Sequence, residues 1–117
     1  MKNVTIYHNP RCTKSRETLA LLEQHGVKPE VVLYLETPPS AEELKKLLKE
    51  LGFSSARELM RKKEDLYKEL KLADETLSEA QLLAAMVENP KLIERPIVVK
   101  GSKARIGRPP EQVLEIL

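Results

Sequence analysis

The chain has 117 residues, 41% hydrophobic and 32% charged, with a net charge of +2. That length builds one hydrophobic core and is short for two domains, and the balanced composition excludes a disordered polymer. A single cysteine excludes an internal disulfide, and with only two histidines beside it a structural zinc set is out of reach.

The N-terminus, Met1 to Ile6, lacks the apolar core of a signal peptide, and no stretch approaches the ~20 apolar residues of a membrane span. The expectation is a cytoplasmic protein that does not engage a membrane. Asn3 to Tyr7 reads as a short strand, with β-branched Val4, Thr5 and Ile6. The loop His8-Asn9-Pro10-Arg11-Cys12 follows, and Asn-Pro favours a turn there. A helix is predicted from Thr13 to His25, with Thr18, Leu19 and Leu22 facing inward and Gly26 as its stop. Glu30 to Leu35 reads as a second strand. Strand, helix and strand over about 30 residues make a βαβ unit with parallel strands.

Pro38-Pro39 breaks the chain and its character changes. Ser40-Ala41-Glu42-Glu43, Ser55-Ala56-Arg57-Glu58 and Ser78-Glu79-Ala80-Gln81 are capping-box sequences, in which a hydroxyl and a carboxylate or amide satisfy free N–H groups at a helix start. Residues 40–89 are therefore expected to be three or four helices without a strand, closed by Asn89-Pro90. Ile97 to Val99, a Lys100-Gly101-Ser102 turn and Lys103 to Ile106 read as a hairpin. Pro109-Pro110 opens a last helix with Val113, Leu114 and Leu117 at helical spacing. The total is one α/β domain over residues 1–117. A βαβ unit and a C-terminal ββα make a mixed sheet of thioredoxin-like type, with a helical insertion at about 40–89.

Cys12 carries the chemistry. It sits where a strand hands over to a helix, so free N–H groups and the positive end of the helix dipole face its sulfur. His8, Arg11, Lys14 and Arg16 lie close in sequence, and positive neighbours favour thiolate over thiol. Cys12-Thr13-Lys14-Ser15 is a C-x-x-S sequence. The serine takes the place of a resolving cysteine, so an outside thiol is needed to release a substrate attacked by Cys12. Ser15 is either a hydrogen-bond donor to that sulfur or a plain first-turn residue. Arg57 and Arg105 read as solvated surface charges. Arg95 differs, because Pro96 and the strand Ile97 to Val99 follow it. A cis proline at that place in a thioredoxin-like fold abuts the active cysteine, although the sequence leaves the isomer open. Arg108, just past the hairpin, reaches the same edge. Guanidinium groups hold tetrahedral oxyanions through paired hydrogen bonds. A basic run and stacking aromatics, the marks of a nucleic-acid binder, are both missing.

His8-Asn9-Pro10-Arg11-Cys12, Tyr34-Leu35-Glu36-Thr37-Pro38-Pro39 and Glu94-Arg95-Pro96-Ile97-Val98-Val99 together resemble the glutaredoxin-linked arsenate reductase family over nearly the whole chain. The resemblance implies a thioredoxin-like fold with a helical insertion and a catalytic cysteine at Cys12. It implies an oxyanion-binding triad of Arg61, Arg95 and Arg108, with His8 and Ser15 supporting the thiolate. It also implies arsenate as substrate, glutathione as co-substrate and glutaredoxin as partner, with no bound metal or cofactor. The phosphatase-like arsenate reductases use C-x5-R, and the sixth residue after Cys12 here is Thr18.

Two other functions share these residues. A glutathione-dependent thiol-disulfide reductase would use Cys12 and have little need of Arg61 or Arg108. A regulator resembling the Spx-type transcription factors would share the fold and bind RNA polymerase, but the redox-sensing members use C-x-x-C, which Ser15 breaks.

Overall fold

The computed structural model describes residues 4–117. They fall into two compact units. One holds the chain up to Thr37 together with Arg95–Leu117, and the other is Pro38–Glu94.

The first unit carries a four-stranded sheet of order β2-β1-β3-β4. Its strands are β1 (Val4–Tyr7), β2 (Glu30–Val32), β3 (Ile97–Lys100) and β4 (Lys103–Ile106). The first residue expected in β1, Asn3, lies outside the described residues. β1 runs parallel to β2, with Ile6 opposite Val31, and antiparallel to β3, with Ile6 opposite Val98. β3 and β4 form the expected hairpin, closed at Lys100 opposite Lys103. Helix α1 (Thr13–Gln24) joins β1 to β2. Gly26 ends it with a left-handed φ of 75°, which lets the Val27 N–H turn back to the Leu22 carbonyl at 2.9 Å. Val4, Ile6, Leu22, Val98, Val113 and Ile116 form the core of this unit. The topology is the thioredoxin-like mixed sheet that the element order predicted.

Two elements differ from expectation. β2 stops at Val32 instead of Leu35, because β1 ends at Tyr7 opposite Val32 and offers no backbone beyond the bond from His8 N to the Val32 carbonyl. The Leu33 carbonyl then accepts from the N–H groups of Glu36 and Thr37, both at 2.9 Å, and a turn replaces the strand end. The last helix, Pro110–Ile116, is a 3₁₀ helix. Three residues per turn put Pro110, Val113 and Ile116 on one buried face, in place of Val113, Leu114 and Leu117.

The second unit holds α2 (Ala41–Leu51), α3 (Asp65–Glu69) and α4 (Glu79–Glu88), with 3₁₀ turns at Ala56–Leu59 and Pro90–Leu92. All three capping boxes are formed. The Ser40 hydroxyl accepts from Glu43 N at 3.2 Å while the Glu43 carboxylate accepts from Ser40 N at 3.3 Å. The Ser78 and Gln81 pair repeats this at 3.2 and 2.8 Å. Glu79 also accepts from the Ser55 hydroxyl and from Ala56 N, tying the start of α4 to the 3₁₀ turn. Arg57 is more than a solvated charge, because it donates to the carbonyls of Leu72 and Asp74. A β-bridge between Met60 and Ile93 closes the unit, and beside it Arg61 N donates to the Leu92 carbonyl at 2.7 Å. No helix among the described residues is long and apolar enough to cross a membrane.

Candidate active site

Cys12 is the N-cap of α1, with an extended backbone at φ −93° and ψ 123°. Its N–H donates to the Asn9 carbonyl at 3.0 Å, and its carbonyl accepts the first helical bond, from Arg16 N, at 3.0 Å. Those two bonds fix the sulfur over the open end of the helix, where the first N–H groups lack carbonyl partners. The thiol makes no full capping hydrogen bond. The side chain is buried, 9% exposed.

The electrostatic balance at the sulfur has opposing parts. Burial is the largest and pushes the thiol pKa up. Against it act the N–H of Ser15, the charge of Arg95, the N–H of Lys14 and the charge of Arg108, in that order. Together they outweigh burial, and the pKa lies below the ordinary thiol value. The arrangement favours a nucleophilic thiolate in spite of its burial.

Both C-terminal arginines come to this place. The Arg95–Pro96 peptide bond is cis. The Nε and Nη1 atoms of Arg95 are shut away from solvent, so its charge acts on the sulfur through little intervening water. Arg108 donates from Nη2 to Cys12 Sγ at 3.7 Å and from Nε to the Arg95 carbonyl at 2.9 Å. One guanidinium therefore touches the nucleophile while resting on the backbone of the residue that carries the other.

His8 and Ser15 are placed differently from a direct pairing with sulfur. His8 Nδ1 lies 2.7 Å from Ser15 Oγ, and Asn9 N donates to the same oxygen at 3.0 Å. Both side chains are buried, with Ser15 at 0% exposure. Ser15 acts on Cys12 through its N–H, and its hydroxyl ties the loop to the helix. Burial pushes the His8 pKa below the ordinary imidazole value, so the ring is neutral at neutral pH and brings no positive charge. The exposed cations nearby turn to their own neighbours: Lys14 pairs with Glu17 at 3.6 Å, and Arg16 donates to Thr13 Oγ1 at 3.5 Å. Arg61 belongs to the helical unit, where it pairs with Glu64 at 3.0 Å. No group of three or more His, Cys, Asp or Glu side chains suited to a metal occurs among the described residues. One residue that motif reasoning passed over is Gly107, whose only sequence signal is a lone glycine between β4 and Arg108.

A sequence model of the ArsC family matches residues 7–116. The chain belongs to the ArsC family. ArsC relatives align along its full length. The uncharacterized protein YfgD of Escherichia coli K12 is 73% identical over 99% of this chain and 98% of its own. An arsenate reductase of Haemophilus influenzae is 56% identical over 98% of this chain and 99% of its own. Among solved structures, an arsenate reductase from Vibrio cholerae superposes with a TM-score of 0.97 at 65% identity, covering 99% of this chain and 98% of that one.

Proposed function

We propose that this chain reduces arsenate to arsenite through a Cys12 thiolate, in the cytoplasm, with glutathione and a glutaredoxin supplying the electrons. One observation carries the reading: the chain's single thiol, held below its ordinary pKa, is contacted by the guanidinium of Arg108, with the charge of Arg95 also acting on it. A thiol-disulfide reductase needs the thiolate alone. Arg95 and Arg108 would serve that chemistry too by holding the thiol ionised, but a forked guanidinium in contact with the sulfur is in addition placed to bind an oxyanion arriving there.

The thiolate attacks arsenic(V), forming an S–As bond as an As–OH bond breaks, and the departing hydroxide takes a proton from solvent to leave as water. Arg95 and Arg108 neutralise the oxyanion charge that would otherwise repel the incoming sulfur. The sequence resemblance also assigns Arg61 to oxyanion binding. Glutathione thiolate then attacks the Cys12 sulfur. A disulfide forms, and the S–As electron pair stays on arsenic, which departs as arsenite. A glutaredoxin thiolate removes the glutathionyl group and returns Cys12 as thiolate. The chain has no other cysteine, which accounts for the need for outside thiols. A cytoplasmic setting, where thiols are kept reduced, suits that need.

The test is NADPH consumption coupled through glutathione reductase, glutathione and glutaredoxin. Arsenate-dependent turnover is expected for the wild type and not for Cys12→Ser. Equal rates in the two proteins, or activity on mixed disulfides with none on arsenate, would exclude the proposal.

A further inference from the structure

Gly107 follows β4 and precedes Arg108. It is buried, and its N–H donates to the Pro96 carbonyl at 2.9 Å. A methyl group built on its α-carbon would collide with Thr18 Oγ1, meet Pro96 Cγ at 2.8 Å and meet Thr18 Cγ2 at 3.1 Å. Real β-carbons essentially never come within 3.0 Å of such atoms, and Thr18 Oγ1 and Pro96 Cγ both lie inside that limit, so any side chain here must displace both neighbours or move the backbone that carries it.

Neither neighbour is free to yield. Thr18 is 0% exposed, and its hydroxyl donates to the Lys14 carbonyl at 2.8 Å, in the helical turn that lies under Cys12. Two of its atoms face the glycine, and turning the side chain away would break the hydrogen bond to Lys14. Pro96 is also buried and is bonded directly to Arg95. Gly107 thus lies where three pieces of the site meet: α1 with its sulfur, the segment of Arg95, and the residue that continues into Arg108.

We infer that Gly107 is a positioning residue of the anion site, the absent side chain setting the distance between the Cys12 sulfur and the two guanidinium groups. The inference rests on reading Cys12 as the nucleophile and deepens it. With a methyl group present, the β4 end and the Pro96 segment back away from α1. Arg108 leaves contact range of the sulfur, and Arg95 moves with its own backbone.

The test compares Gly107→Ala with the wild type by circular dichroism, by iodoacetamide alkylation rate against pH, and by arsenate KM and kcat separately. The alkylation assay needs no arsenate, so a wild type that ionises Cys12 but does not turn over arsenate sinks the functional proposal without touching this one. In folded Gly107→Ala the midpoint is expected to rise by about half a unit or more, which is roughly a threefold loss of thiolate at a pH below it, and KM to rise several-fold. Adding Thr18→Ala, which deletes both Thr18 atoms facing the methyl, is expected to return the midpoint toward that of Thr18→Ala alone. A lower melting temperature with midpoint and KM unchanged would mean a merely structural glycine and would overturn the inference. Should Gly107→Ala not fold, Thr18→Val enlarges the same contact from the other side and is expected to raise the midpoint. An unmoved midpoint in folded Thr18→Val overturns the inference equally.

Discussion

Replacing Arg108 with glutamine removes a guanidinium that contacts the Cys12 sulfur while keeping a polar side chain of moderate length. Its Nη2 lies 3.7 Å from Cys12 Sγ in a part-buried contact, and because the arginine itself is exposed the water value of the dielectric constant sets the minimum effect. Coulomb's law then gives about 1.1 kcal/mol between unit charges at that separation. At 1.36 kcal/mol per unit, this is a rise of about 0.8 in the Cys12 pKa and roughly a sixfold loss of thiolate at a pH well below the midpoint. The measurement is alkylation rate against pH at low ionic strength, repeated at about 1 M salt, where a Debye length near 3 Å shrinks the difference between the two proteins. Arg108→Lys, which restores charge without the fork, is expected to recover most of the midpoint but not arsenate KM. A glutamine variant whose midpoint is unchanged or lower at low salt would refute the electrostatic argument for this site.

Ser15→Ala removes the oxygen shared by His8 and Asn9 and leaves the N–H facing sulfur. Urea denaturation is expected to show a loss of about 1–3 kcal/mol while the alkylation midpoint moves little; a large midpoint rise would mean that the hydroxyl serves the thiolate directly. Ser78→Ala breaks the α4 capping box and is expected to cost about 1 kcal/mol of stability, with Ser78→Gly costing less; equal losses would argue against the cap. Burial lowers the folded-state pKa of His8, so as pH falls from about 6.5 the unfolded chain takes up a proton that the folded chain refuses. Stability is therefore complete above about pH 6.5 and declines toward the folded pKa. Urea midpoints at pH 7.5 and 5.5 are expected to differ less in His8→Gln than in the wild type, and an unchanged difference would contradict the assignment.

The helical unit was readable because its punctuation is local. A capping box spans four residues, and each of the three formed where a Ser stood three places before a Glu or Gln. Cys12 was readable for the same reason, since a strand, a loop and a helix start lie within ten residues of it. What failed depended on partners remote in sequence. Apolar character ran on to Leu35, but β2 ended where β1 ran out of backbone. The fate of the Ser15 hydroxyl turned on His8 being buried beside it, seven residues away. Arg95 and Arg108 stood out through the prolines next to them, yet the bond from Arg108 to the Arg95 carbonyl belongs to no motif. The lone glycine before Arg108 does not by itself reveal its role, because that lies in the Thr18 and Pro96 atoms that fill the place of its missing side chain.

Two of the four groups that favour ionised Cys12 are main-chain amides, those of Ser15 and Lys14. Every residue except proline brings such an amide, so no point change other than to proline deletes that share of the support. The amide share of the sulfur's activation is consequently buffered against drift in the first turn of α1, whereas the share that comes from Arg95 and Arg108 is open to change at each of those positions. The nucleophile would thus keep part of its activation whatever side chains took the place of those arginines.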